Sequence, residues 1–364
     1  MEDERGGRDG LDGLDGPDDA SPGWDAIDQA CRRLYGDTEP VHYGTIHKWA
    51  LGGPDPLDGI SAYKRDAPVP HWHLVSYGMS ELYDKSSENL EESGWGFEFT
   101  FRVARDAADE TPPAWALNLL QNLGRYVFNS GNWFEPGHHM NINGPIEADR
   151  EDCEIRALAF VRDPELDRID TPHGTVDFLQ VVGLTADEYD AAQRWNTDGV
   201  LDLLAPRTPL HVTDSGRGSL LTDPELLAAV EAGIERDGSS SGALYVTTAG
   251  WERDGAATTL KVGALQAPAI AQALRGRLPF GRDLLLQAEE SALYFQPEET
   301  PALREVDGTS LVVAVPQAAL EDLVAALVPE AGVREVRSLP GVSVEIVPTA
   351  MRDQYGAETG EIVG

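Results

Sequence analysis

Alternation of apolar and polar residues is sharpest in GWGFEFTFRV (94–103), where Trp95, Phe97, Phe99, Phe101 and Val103 share one parity and Glu98, Thr100 and Arg102 the other. A period of two places these sets on opposite faces, so the segment predicts a half-buried strand of an antiparallel sheet. HWHLVSYGM (71–79) is its predicted neighbour, the two separated by the charged loop YDKSSENLEES. Two more strands are predicted at 153–161 and 175–184. Helical spacing takes over elsewhere. Trp24, Ile27, Cys31 and Leu34 follow Ser21-Pro22 and stop at Gly36; Trp115, Leu119, Leu120, Leu123, Tyr126 and Val127 follow Pro112-Pro113 and precede a Gly/Asn-rich loop at 129–144. Thr185 and Glu188 have capping-box spacing, and Asp223-Pro224 opens a further helix that ends at Asp237-Gly238.

The run SSSG at 239–242 reads as a flexible joint. Beyond it the pattern predicts strands at 243–249, 258–266, 283–296 and 309–315, a helix at 316–328 and a last strand at 342–347. Strands and helices mix without a regular βαβ beat, so the fold class expected is α+β, with two domains, each a mixed or antiparallel sheet packed with helices. The first is expected to span 23–238 and the second 243–350. Residues 1–22, rich in Gly and Asp with little to bury, are expected to form a disordered acidic tail, and 351–364 a flexible one.

A chain of 364 residues agrees with two cores rather than one. Its 63 Asp and Glu against 28 Lys and Arg give a net charge of −35, which argues against nucleic acid and favours a positively charged partner, although adaptation to a salt-rich cytosol gives the same excess. No apolar run is long enough to cross a bilayer, and the acidic N-terminus is unlike a secretion signal, so a cytoplasmic protein without membrane contact is expected. Cys31 and Cys153 have no zinc-site spacing and are expected to be buried and reduced.

The usual catalytic signatures (G-x-S-x-G, Walker loop, G-x-G-x-x-G, H-E-x-x-H) are absent, so no catalytic residue, cofactor or metal is assigned. One enzymatic alternative stays open: His71 and His73 share a strand face, and with His138 they would suit a metal-dependent hydrolase. The plainer reading of the strand pair is hydrogen bonding beneath the sheet. Acidic pairs such as Glu91-Glu92 and Glu289-Glu290 read as solvated surface. Tyr126, Trp133 and Phe134 flank a loop and suit either core packing or the anchors of a peptide groove.

The stretches ACRRLYG (30–36), WALGGPDPLDGISAY (49–63), PHWHLVSYGMSELY (70–83), GWGFEFTFRV (94–103), RYVFNSGNWF (125–134), TPHGTVDFLQVVGLT (171–185), AAQRWNTDGVLDLL (191–204) and GIERDGS (233–239) are collinear, and together they resemble the Suppressor of fused family. LRGRLPFGRDLLLQ (274–287) is similar to that family's second domain, and the missing low-complexity insertion resembles its compact bacterial form. The resemblance implies a non-enzymatic protein in which two hinged domains clamp an extended peptide that adds as a strand; in animal members the ligand is a Gli transcription factor. By motif position, Tyr126, Trp133 and Phe134 would line one side of the groove, and the strand at Leu244, Tyr245 and Val246 would offer its edge on the other. His138 would stand where animal members carry the acid that meets the peptide's histidine, which implies a different ligand here. Among bacterial relatives the implied role is immunity against a toxin, and a basic toxin is the partner expected.

Overall fold

In the computed structural model, which describes residues 21–46, 49, 52–352 and 358–364, the alternating segment around Phe99 lies inside an eight-stranded sheet. The sheet comprises β1 (Val41–Gly44), β2 (Gly59–Arg65), β3 (His71–Tyr77), β4 (Glu92–Ala104), β5 (His139–Asn141), β6 (Ile155–Arg162), β7 (Ile169–Thr171) and β8 (Gly174–Thr185). Its order is β1-β2-β3-β4-β8-β6-β5, with β7 beside β8, and only β4 and β8 run parallel. The helices are α1 (Pro22–Tyr35), α2 (Ala114–Ser130), α3 (Ala186–Arg194), α4 (Thr197–Leu204) and α5 (Pro224–Asp237). Residues 1–20 of the expected acidic tail lie outside the described residues, and Pro22 already belongs to α1.

One face of the sheet packs Phe97, Phe99, Phe101 and Val103 against Leu120, Leu123 and Val127 of α2. The other face divides. At one end α1 covers it through Ile27 and Cys31, and at the other α3, α4 and α5 cover it through Ala191, Leu201 and Val230. This corrects the half-buried reading of β4, because Glu98, Thr100 and Arg102 are all fully buried. Polar residues tolerate such burial when their hydrogen bonds are made internally. Arg102 donates through Nη1 to Asp163 Oδ2 at 2.6 Å and through Nη2 to Oδ1 at 3.0 Å, and Thr100 Oγ1 donates to Oδ2 at 2.7 Å. His73 Nε2 lies 3.1 Å from Asp163 Oδ2, and Tyr35 of α1 lies 2.5 Å from His73 Nδ1. Burial, with Arg102 nearby, pushes His73 down to about 4, so the ring is neutral and accepts from Tyr35 while donating to Asp163. Burial alone would raise Asp163, but His73 and Arg102 hold it well below the carboxylate range.

After Gly238 the chain builds β9 (Ala243–Tyr245), β10 (Ala249–Asp254), β11 (Ala257–Gly263), α6 (Ala267–Arg277), β12 (Leu284–Gln287), β13 (Ala292–Pro297), β14 (Ala302–Asp307), β15 (Ser310–Val315), α7 (Leu320–Ala326), β16 (Gly332–Glu335) and β17 (Val342–Val347). They form a four-stranded sheet, β10-β11-β17-β16, and a five-stranded sheet, β14-β15-β13-β12-β9. Leu260, Ile270, Leu274, Phe295, Val313 and Leu323 place both sheets and both helices around one core. The architecture is α+β, as the pattern required. The strand expected at 283–296 is a hairpin bent at 288–291, and the one expected at 243–249 stops at Tyr245. Of the expected tail at 351–364, residues 353–357 lie outside the described residues; β18 (Thr349–Arg352) and β19 (Glu358–Val363) pair antiparallel. Cys31 and Cys153 are buried free thiols.

The SSSG run also departs from expectation. Ser239 is buried and stitched to both sides: its amide donates to Gly276 O at 2.7 Å, its hydroxyl to Gln193 O at 2.5 Å, and its carbonyl accepts from Arg277 and Arg282, each at 2.9 Å. Ser240 N donates to Trp195 O at 2.7 Å, and Gln272 of α6 donates to Asp190 of α3 at 3.0 Å. A polar composition that reads as a linker is here a hydrogen-bonded seam between the lobes.

Candidate functional site

Helix α2 ends where Gly131 takes the left-handed conformation (φ 73°, ψ 1°) and donates to Val127 O at 2.9 Å, a turn that favours glycine. The chain then crosses the end of the large sheet, pinned by Phe134, which is 7% exposed and stacks on Phe160 at 4.0 Å and on Tyr126 at 5.5 Å between ring centres. With Phe134 buried as the anchor, Trp133 remains 56% exposed and Tyr126 40%. Short strand β5 follows as the last strand of the sheet. Phe160 N donates to His138 O and Ile142 N to Arg156 O, so even-numbered residues bond inward to β6. By the alternation of an antiparallel ladder, the amides and carbonyls of His139 and Asn141 turn away from β6; Tyr189 of α3 shares a hydrogen bond with the Asn141 backbone, and His139 borders the cleft.

The second lobe presents a matching edge. β9 is the last strand of the five-stranded sheet and runs parallel to β12. Leu285 N donates to Gly242 O and Val246 N to Gln287 O, each at 2.9 Å, so even-numbered residues again bond inward. Ala243 and Tyr245 therefore direct their backbone groups outward, and Tyr245 is 78% exposed. Between the two edges lies a cleft of about 540 Å³, walled by Tyr126, Trp133, Phe134, His138, Leu244 and Tyr245. The six residues singled out from the sequence thus meet at one place, with Phe134 and Leu244 forming the floor rather than exposed anchors.

The cleft also holds Asn132, Glu135, His139, Ser240 and Ser241, which sequence reasoning did not assign to a site. His139 Nδ1 lies 3.1 Å from Thr197 Oγ1, and burial, aided by His138, pushes its pKa down to about 4. His138 Nδ1 accepts from Glu135 N at 3.2 Å, and its Nε2 lies 3.8 Å from the Glu135 carboxylate. The serines sat in a run read only as linker. The adjacent pair His138-His139 was visible, but a three-residue strand gives too short a pattern to show its outward parity.

The hydrolase alternative does not survive this geometry. His71 bonds Val69 O at 2.7 Å, His73 lies between Tyr35 and Asp163, and both are fully buried. His138 precedes β5, four strand steps from β3 in the order β3-β4-β8-β6-β5, or about 19 Å at the usual strand spacing. Among the described residues no group of three His, Cys, Asp or Glu is placed to hold a metal ion.

Residues 53–218 match the family model described as Suppressor of fused protein (SUFU). The chain is 41% identical over 239 residues to the human and mouse proteins named Suppressor of fused homolog, a match that takes in 60% of this chain. It spans about half, 48%, of the length of these curated relatives. The crystal structure of Drosophila Suppressor of Fused superposes with a TM-score of 0.77 at 25% identity, covering 92% of this chain and 97% of that one. The Sufu-Fu complex crystal structure superposes with a TM-score of 0.53 at 35% identity, covering 58% of this chain and 97% of the other.

Proposed function

From the Suppressor of fused family, to which this chain belongs through residues 53–218, we propose a protein-binding module that takes an extended segment of its partner as an added strand between β5 and β9. The observation that carries the reading is the pair of sheet edges that border one cleft, with His139 on one side and Ala243 and Tyr245 on the other. Backbone groups on an open edge give affinity for any extended chain, and the exposed rings of Tyr126, Trp133 and Tyr245 give it side-chain preference. A Suppressor of fused structure solved as a complex with Fu supports binding as the mode of action. On this reading the chain acts without turnover, in a reducing cytoplasm where its two thiols stay free.

The finer reading is capture of a basic protein, with toxin neutralisation as its use; the net charge of −35 supports it through long-range attraction. Peptides selected from a random linear library on the intact protein test the cleft. Tyr245→Pro removes an outward N–H without touching the inward ladder, and it abolishes capture if the edge receives a strand. Leu244→Pro, which removes an inward N–H, destabilises β9 itself. Undiminished capture by folded Tyr245→Pro protein refutes strand addition at β9. A salt-dependent affinity for basic proteins is expected, and an affinity independent of salt removes the support from charge.

A further inference from the structure

Trp133, Phe134 and Glu135 have a second side. They also wall a neighbouring cavity of about 640 Å³, so this hollow continues the cleft rather than lying apart from it. Its far wall is made by an irregularity in β4. Glu92 pairs with Thr175 and Phe97 with Asp177, so five residue steps of β4 are matched to two of β8. The surplus is taken up by Gly94 (φ 58°) and Gly96 (φ 80°), which adopt the left-handed conformation. A side chain at Gly94 would put Cβ 2.7 Å from Met79 O, so the bulge accepts only glycine there. Such a bulge bends the strand and re-aims its side chains. Here it brings Glu92 and Trp95 to the cavity wall facing Trp133.

The chemistry of the hollow favours a cation. Arg168 grips Asp177 with two hydrogen bonds of 2.8 and 2.5 Å, so that pair is internally neutral. Glu92 and Glu135 then outnumber Arg162, which is well exposed. Indole faces attract an ammonium or guanidinium group, and carboxylates at their rim add to the attraction. The field of a chain carrying −35 acts in the same direction. Resting on the strand-addition reading, we infer that the partner segment runs past Trp133 and places a Lys or Arg side chain in this second cavity, between the two indoles and the carboxylates of Glu92 and Glu135.

The test uses linear peptides selected from a random library on the full chain, then resynthesised with each Lys or Arg replaced by norleucine. Wild-type protein enriches a short extended core with a basic residue to one side. Glu92 borders the second cavity and not the cleft, so Glu92→Gln weakens the basic peptide roughly three- to fivefold, the worth of one part-exposed ion pair, and leaves the norleucine peptide unchanged. Arg162→Ala strengthens the basic peptide. Tyr245→Pro loses both peptides, which separates failure of the cleft from failure of the second cavity. The inference is overturned by selected cores with no basic neighbour, or by Glu92→Gln weakening both peptides equally, even where Tyr245→Pro abolishes capture as the cleft requires. Capture that survives Tyr245→Pro overturns it together with the reading it rests on.

Discussion

The seam and the cleft both join the two lobes, and they are built on opposite principles. At the seam every polar group of Ser239 is spent within the molecule, on Gln193, Gly276, Arg277 and Arg282. At the cleft the edges of β5 and β9 leave backbone groups of His139, Ala243 and Tyr245 turned outward beside exposed aromatic rings. Internal satisfaction makes a fixed contact, whereas an unsatisfied edge invites another chain. The lobes are held together at the seam, while the two edges at the cleft stay apart.

The strongest way to break the comparison is Gly238→Ala at the seam. Gly238 sits at φ 64°, ψ −165°, and an added Cβ would lie 2.4 Å from both Gly276 O and the Phe280 ring. Strain and overpacking together are expected to cost about 2–4 kcal/mol in urea denaturation. A variant as stable as the parent would show that the seam yields easily. Next comes Arg277→Ala, which leaves Asp283 O without its guanidinium donor and Ser239 O with that of Arg282 alone, and should cost on the order of 1–3 kcal/mol. Peptide capture at the cleft should weaken with it only if the seam sets the spacing of the two edges.

Acid sharpens the contrast on the cleft side. Folding holds His139 down at about 4, mainly by burial, against an ordinary value of 6.5. Between those limits the unfolded chain binds a proton that the folded chain does not, so this contribution is complete above about pH 6.5 and is lost as pH falls toward 4. His73 behaves in the same way in the core. Going from pH 7 to 5 should therefore cost wild-type protein about 1–2 kcal/mol more than His139→Gln, read from urea midpoints at the two pH values. Equal losses would mean that His139 does not titrate with folding. The smallest effect on stability belongs to Trp133→Ala, expected to stay within about 0.5 kcal/mol because the ring is half in water. The same change should weaken captured peptides about tenfold or more, and a variant that binds normally would take Trp133 out of the interface.

Much of this fold was legible because local rules were obeyed. The parity of 94–103 placed Phe97, Phe99 and Phe101 on a core, and Thr185 with Glu188 marked the start of α3, where Thr185 N donates to Glu188 Oε2 at 3.0 Å. Asp223-Pro224 opened α5 where expected, Asp223 accepting from Glu225 N at 2.9 Å. Other features escaped for physical reasons. Helix α6 went unread, although Ala267, Ile270, Ala271 and Leu274 have helical spacing, because small alanines make a weak apolar stripe. The polar face of β4 was read as solvated because its partners are distant in sequence, with Asp163 and Gln180 completing the shell of Arg102. Tyr126, Trp133 and Phe134 stood out as aromatics beside a loop, but motif position was needed to bring them together with His138, Leu244 and Tyr245, and no local pattern would have joined Tyr126 to Tyr245.

The sequence by itself determined which residues alternate, where helices start and stop, and that two cores of α+β type would form, since these depend on neighbours a few positions apart. Only the tertiary structure decided that β5 and β9 are the last strands of their sheets, that the serine run is a seam, and that a bulge opens a second hollow behind Trp133. Whether a strand has a free edge depends on what pairs beside it, and that partner is chosen by packing across the whole chain rather than by the strand's own residues.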